Sequence, residues 1–239
     1  MRLDKCLEQN EFGSRKAVKR LLQRRLVRVD GQVVMTESLN VDPAVHEIKV
    51  GNQVVVAQGH SYFMLNKPQG TVTAVRDETH PTVIDWIHEA DRTPGLYPAG
   101  RLDRDTEGLV LITDNGPLGY QLIHPKHKVT KRYQVTVNGA LTEADRQSFL
   151  TGIVFIGGVT CQPARLTILS QSPTHSEAVL DIQEGKFHQV KKMFLAVDKK
   201  VTSLKRIRIG SLHLDEGLAP GMYRRLTKEE LAALFPKSE

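Results

Sequence analysis

Asp103 stands between two cations, Arg101 and Arg104, in the stretch Gly100-Arg101-Leu102-Asp103-Arg104-Asp105-Thr106-Glu107-Gly108. A carboxylate with cations beside it stays ionised at neutral pH, because opposite charge favours the charged form. Such a group suits nucleophilic or electrostatic work better than proton donation. Asp105 raises the alternative of a D-x-D cation site, but the sequence places no third ligand and Arg104 lies between the two acids. A surface loop of salt bridges is the plainest reading of the same residues. His124, His127 and His188 could suggest zinc or a hydrolase triad. Their spacing fits no H-E-x-x-H motif, and no G-x-S-x-G nucleophile elbow occurs.

The elements that must hold these residues follow from pattern. Residues 109–113 form a short apolar run closed by the turn signal Asp114-Asn115-Gly116. They read as a buried strand bounded by Gly108, with Asp103 in the polar loop at its entrance. Strands are also expected over residues 62–66, 131–137, about 163–169, 177–182 and 204–209, and residues 71–75 are β-rich. Helices are expected from 84 to about 90 and over about 118–123. Thr142 and Asp145 frame a further helix start. In residues 186–197, Val190, Met193, Phe194 and Val197 recur at i, i+3, i+4 and i+7, the mark of an amphipathic helix. His188, Lys191 and Lys192 fill the rest of its first turns. Thr227-x-x-Glu230 is a capping box that opens a last helix over residues 228–234. Strands outnumber helices and hairpin turns recur, so the body reads as a mixed, mainly antiparallel α+β domain.

The N-terminal quarter has a different character. Residues 1–28 hold nine Lys or Arg and three acids, so the chain's whole net charge of +6 sits there. Leu3, Cys6 and Leu7 fall at helical spacing, and a second helix starts after Gly13-Ser14 and runs from Arg15 to about Arg25. Val18, Leu21 and Leu22 form its apolar stripe, and Arg15, Lys16, Lys19 and Arg20 its basic positions. Val27 and Val29, then Asp30-Gly31, read as a strand and hairpin turn, and residues 47–57 as another hairpin about Gly51-Asn52. Residues 1–58 therefore form a small basic module, 59–61 a linker from the Gln58-Gly59-His60-Ser61 stretch, and 62–239 the main domain. A module of one charge sign points to an anionic partner, most commonly nucleic acid.

Composition limits the alternatives. Of the 239 residues, 40% are hydrophobic and 25% charged, enough for an ordinary core in a soluble protein. No apolar run approaches the ~20 residues of a membrane span, and the N-terminus lacks a secretory signal's apolar region. Cys6 and Cys161 lie far apart without C-x-x-C spacing, which speaks against a disulfide framework or structural zinc. A reducing cytoplasm and a monomeric chain are the simplest expectations.

Two resemblances sharpen this reading. Arg2-Leu3-Asp4-Lys5, Ser14-Arg15 with Lys19, and Val27-x-Val29-Asp30-Gly31 resemble the S4 RNA-binding domain, which often carries Gly where Arg25 stands. Four further blocks resemble, in order, the pseudouridine synthases of the RsuA/RluB/RluE/RluF type. They are Asn66-Lys67-Pro68-x-Gly70, Gly100-Arg101-Leu102-Asp103-x-x-Thr106-x-Gly108-Leu109, Lys131-x-Tyr133, and Glu184-Gly185-x-x-His188-Gln189-Val190-Lys191-Lys192-Met193. Residues 62–70, Phe187-His188-Gln189-Val190 and the tail from Leu218 to Thr227 are most similar to the RsuA branch, which acts on small-subunit 16S rRNA. The resemblance implies the pseudouridine synthase fold and isomerisation of a uridine in ribosomal RNA without a cofactor or metal. It implies Asp103 as the catalytic carboxylate, Lys191 as its basic partner, and Tyr133 as the aromatic stacked on the target base. Arg2, Lys5, Arg15, Lys16, Lys19 and Arg20 are the expected RNA contacts of the basic module. Lys67, Arg101, Lys192 and Arg206 are expected as phosphate or scaffold contacts. A large-subunit rRNA enzyme and a non-enzymatic ribosome-associated S4 protein are the alternatives.

Overall fold

The computed structural model describes residues 1–56, 59–155 and 157–235. The N-terminal module packs two helices, α1 (Leu3–Gln9) and α2 (Arg15–Gln23), on a four-stranded antiparallel sheet. Its strands are β1 (Val27–Val29), β2 (Gln32–Val33), β3 (Ile48–Val50) and β4 (Gln53–Val54), in the order β2-β1-β3-β4. Leu3, Leu7, Val18, Leu22, Val27, Val29 and Ile48 close one core between them. The apolar stripe of α2 is thus consumed, and Arg15, Lys16, Lys19 and Arg20 are left on the exposed side. Arg25 adopts φ +58° just past α2. Its amide donates to Leu22 O and that of Leu26 to Leu21 O, the paired bonds of a left-handed helix stop. The turn usually made by glycine is made here by arginine, at a steric cost of about 1 kcal/mol.

The described residues of the main domain form a nine-stranded, mostly antiparallel sheet. It is built from β5 (Tyr62–Lys67), β6 (Tyr97–Ala99), β7 (Glu107–Thr113), β8 (Lys131–Asn138), β9 (Arg165–Gln171), β10 (His175–Ile182), β11 (Val201–Ile209), β12 (Leu212–His213) and β13 (Tyr223–Arg225). The order is β13-β5-β7-β11-β8-β10-β9, with β6 paired to β7 and β12 to β11. The join of β7 to β11 is parallel; the other named pairings are antiparallel. Alternation explains the two cores. Phe63, Leu65, Val110 and Ile112 face one cluster, while Tyr62, Met64, Leu109 and Leu111 face the other. β5 and β7 are therefore buried on both faces, and a loop that feeds β7 is anchored in the centre of the domain. The helices α3 (Gly116–Ile123), α4 (Glu143–Thr151), α5 (Gln189–Leu195) and α6 (Lys228–Leu234) flank the sheet. Asn115 caps α3 through its side chain, and capping boxes start α4 and α6.

The expected helix over 84–90 is a series of tight turns leading to a short 3₁₀ helix, Glu89–Asp91. The His88 amide, which an α-helix would give to Ile84, goes to the Tyr223 hydroxyl. Arg92 takes the carbonyls of Asp85 and Ile87. Residues 71–75 make one bridge, Val72 with Thr82, and no strand. Gly108 does not bound β7 but lies within it, and His188 precedes α5 in a left-handed conformation (φ +52°). Of the expected linker, Gln58 lies outside the described residues, as do Ala57 of the preceding hairpin and 236–239 of the main domain. His60 and Ser61 are held rather than loose: both amides are bonded, to Asp42 and Asp114 respectively.

Candidate active site

The loop of Asp103 is clamped before it reaches β7. Thr73 Oγ1 donates to Leu102 O at 2.8 Å and accepts from Leu102 N at 3.1 Å. Gly70 N and Lys67 Nζ both donate to Arg104 O, at 2.9 and 3.2 Å. These bonds hold the residues on either side of Asp103 and leave its carboxylate free to face the cleft. Lys67 is fully buried, and burial pushes its ammonium down to about 8. Arg206 is 2% exposed, and its Nε donates to Leu109 O at 2.9 Å, tying β11 to β7. Lys67 and Arg206 thus each bond a backbone carbonyl of the segment that carries Asp103, Arg104 O and Leu109 O respectively.

The cations beside Asp103 are not its neighbours in sequence. Arg104 turns to His80, and Arg101 is exposed with no ion pair among the described residues. Lys191, from the first turns of α5, comes instead: its Nζ lies 3.1 Å from Asp103 Oδ2 and 2.6 Å from Asp105 Oδ1. His188 Nε2 stands 3.5 Å from Asp103 Oδ1. Burial disfavours the charge on Lys191, but the bonds to Asp105 and Asp103 outweigh it and hold the ammonium above its ordinary range. Asp105 is moved the other way: burial raises its carboxyl, and the stronger pull of Lys191 leaves it below the usual range. The two acids of the D-x-D pattern share one ammonium.

Tyr133 comes from β8, where it is paired with Arg206 of β11 and Leu180 of β10. It is 7% exposed and lines the same recess as Asp103, Lys191, Ile182 and Leu204. A wider cleft of about 670 Å³ adjoins it, sharing Asp103, Tyr133 and His188 and adding Lys131, Arg206 and Phe187. The recess therefore has a carboxylate held by an ammonium on one side, an aromatic ring on another, and aliphatic side chains around them. It fits a flat, partly polar group brought next to a negative oxygen. Lys192 is turned across two rings, Phe155 at 5.7 Å and Phe187 at 5.0 Å from the centroids.

In the basic module, Lys5, Arg15, Lys16, Lys19 and Arg20 are exposed. Arg2 is partly spent on Asp4, at 3.0 and 2.7 Å, and Arg15 leans on Glu8 at 3.5 Å. The module is tied to the main domain through Asp42, which is fully buried and accepts from the Tyr62 hydroxyl at 2.5 Å and from His60 N at 3.0 Å. Several members of the site were not read from the sequence: the contact of His188 with Asp103, the Asp105 pair, and the Thr73 clamp. The family blocks contain His188 and flank Asp105, but nothing in the spacing brings Thr73 to Leu102.

Residues 61–196 match the family model described as RNA pseudouridylate synthase, and residues 1–44 that of the S4 domain. The chain is 41% identical to the ribosomal small subunit pseudouridine synthase A of Yersinia pestis, over 98% of each chain. It is 40% identical to an uncharacterized RNA pseudouridine synthase of Bacillus subtilis, again over 98% of each. A solved pseudouridylate synthase structure superposes with a TM-score of 0.68 at 35% identity, covering 98% of this chain and 99% of the other. With a family match across most of the main domain and relatives of this identity along nearly the whole length, the chain belongs to the RNA pseudouridylate synthase family and carries an N-terminal S4 domain.

Proposed function

We propose that this pseudouridine synthase converts a uridine of small-subunit 16S rRNA to pseudouridine, with Asp103 as its catalytic carboxylate. The reaction breaks the C1′–N1 bond, turns the uracil, and joins C5 to C1′. N1 gains a hydrogen and C5 loses one, so the nucleotide's composition is unchanged and the enzyme is an isomerase. The observation that carries the reading is the convergence of Asp103, Lys191 and Tyr133 on one recess. Lys191 keeps the Asp103 carboxylate oriented while it assists cleavage of the glycosidic bond. Tyr133 forms the wall on which the freed uracil lies, and Ile182 and Leu204 keep that wall dry. The target must leave its stack to enter.

The S4 module, residues 1–58, supplies Arg2, Lys5, Arg15, Lys16, Lys19 and Arg20 to the RNA backbone. Residues 62–239 supply the chemistry, with Arg101 and Lys192 at the cleft as backbone contacts. The small-subunit assignment rests on the relatives of that name and on the Phe187-His188-Gln189-Val190 block. Cytoplasmic location and a monomeric enzyme belong to the same proposal.

Asp103→Asn tests it. Lys191 keeps its bond to Asp105 in this variant, so no ammonium is stranded and the fold is retained. Pseudouridine mapping of small- and large-subunit rRNA treated with each protein is expected to show one modified site, in small-subunit rRNA, with wild type and none with Asp103→Asn, at nearly equal RNA affinity. Retained modification by the variant excludes Asp103. Modification of large-subunit rRNA alone moves the substrate to the other subunit.

A further inference from the structure

Phe187 is the feature of the cleft that the reaction leaves unused. It is 72% exposed, at the mouth of the recess that holds Asp103 and Tyr133. Single exposed apolar side chains are common on any protein, but this one is held in place. The loop that carries it is pinned at both ends by buried groups. Gln189 accepts from Lys186 N at 2.8 Å and donates to Glu184 Oε1 at 2.8 Å, and Glu184 also accepts from Gln162 N at 3.0 Å. His188 adopts its left-handed conformation at the end of the loop, which turns the chain into α5. Its ring stacks on that of Phe187, with centroids 3.8 Å apart and planes 20° from parallel. The ammonium of Lys192 lies 5.0 Å from the same ring, and Lys186 and Arg101 line or flank the same mouth. An aromatic ring on a fixed loop, largely open to water and ringed by cations, has the composition of a surface that stacks nucleobases and neutralises their phosphates.

We propose that Phe187 stacks on a nucleobase adjoining the target uridine and so holds the RNA open while the target occupies the recess. The inference rests on the reading of the recess as the uridine site. A flipped nucleotide leaves its neighbour with one uncovered face. The Phe187 ring covers that face while remaining outside the reacting atoms, so it is a binding residue and not a catalytic one. His188 joins the two events: its ring backs Phe187 and its Nε2 stands 3.5 Å from Asp103.

The test uses the full chain and a small-subunit rRNA transcript labelled with tritium at uridine C5, since that hydrogen is released in the reaction. Phe187→Leu keeps an apolar side chain and removes the π face; Phe187→Tyr and Phe187→Trp keep the face. Phe187→Leu and Phe187→Ala are expected to raise KM roughly tenfold, with kcat changed far less, and Phe187→Tyr to restore the wild-type value. In Phe187→Trp, indole emission is expected to fall when RNA is added, beyond any change given by Trp86 in wild type. Wild-type kinetics in Phe187→Leu, together with unquenched emission in Phe187→Trp, overturns the proposal. So does a loss confined to assembling subunits with unchanged tritium release from naked transcript, which would place a protein against Phe187. If wild type binds the transcript but releases no tritium, the assigned reaction fails, while quenching in Phe187→Trp still decides the stacking.

Discussion

Asp103, in the loop before β7, and Lys67, at the end of β5, use a charge in two ways. Asp103 faces the cleft and is a quarter exposed, so its partner Lys191 can hold it without withdrawing it from the cleft. Lys67 is enclosed, and its ammonium is spent on two carbonyls, Pro68 O at 3.1 Å and Arg104 O at 3.2 Å. Carbonyls repay only part of the hydration a buried ammonium loses, and burial accordingly lowers its pKa from 10.5 to about 8. Below pH 8 both the folded and the unfolded chain carry the proton, and the fold bears the cost of enclosing it. Between pH 8 and 10.5 the unfolded chain binds a proton that the folded chain has released, so stability rises with pH through this window. Above it neither state is charged. Chemical denaturation of wild type and Lys67→Met at several pH values should therefore show the wild type gaining on the variant from pH 8 to 10.5, by up to about 3 kcal/mol. A constant difference across that window would mean that Lys67 stays charged in the fold.

At the scale of elements, the site depends on the parallel join of β7 and β11. Gly108 lies opposite Arg206 there, at φ +101°, and a Cβ on it would stand 2.3 Å from Arg206 O. An alanine would meet both a backbone conformation that L side chains avoid and a carbonyl that cannot move without parting the strands. Gly108→Ala is expected to lower stability by about 3 kcal/mol or more, which a denaturation midpoint would register. A change under about 0.5 kcal/mol would show that the join tolerates separation. This contact also marks the limit of what the sequence discloses. The strand after Asp103, the helix of Lys191 and the last helix were legible because apolar periodicity and capping residues are local. So was the basic face of α2, whose stripe and charges alternate within a few residues. The 84–90 segment misled because its amides and carbonyls are taken by Tyr223 and Arg92, distant or out of register with any helix. Arg101 and Arg104 misled in a similar way: adjacency in sequence suggested the partners of Asp103, and folding supplied Lys191, 88 residues further on. Only the order of the family blocks linked those two residues beforehand.

On the whole-molecule scale the chain separates attraction from chemistry. Its net charge lies in the first 28 residues, on a module whose core is closed independently of the main sheet. The remaining residues sum to zero. Attraction by the module acts on phosphate, which every RNA offers, so it raises affinity without choosing a uridine. Removing the whole module is a poor test of this division. It would also take away Asp42, the buried acceptor of the Tyr62 hydroxyl, and uncover the junction where His46 meets Phe235 at 4.8 Å. Replacing Arg15, Lys16, Lys19 and Arg20 together with Gln leaves that junction intact, because all four side chains are exposed on α2. The quadruple variant should bind small-subunit rRNA more weakly and with a shallower salt dependence. Each phosphate that a cation no longer neutralises flattens the slope of log affinity against log salt by about 0.7 to 0.9, so four give a drop of roughly 3. KM should rise far more than kcat falls, since the recess of Asp103 is untouched. An unchanged slope would place the RNA-attracting surface elsewhere, on the cations of the cleft itself.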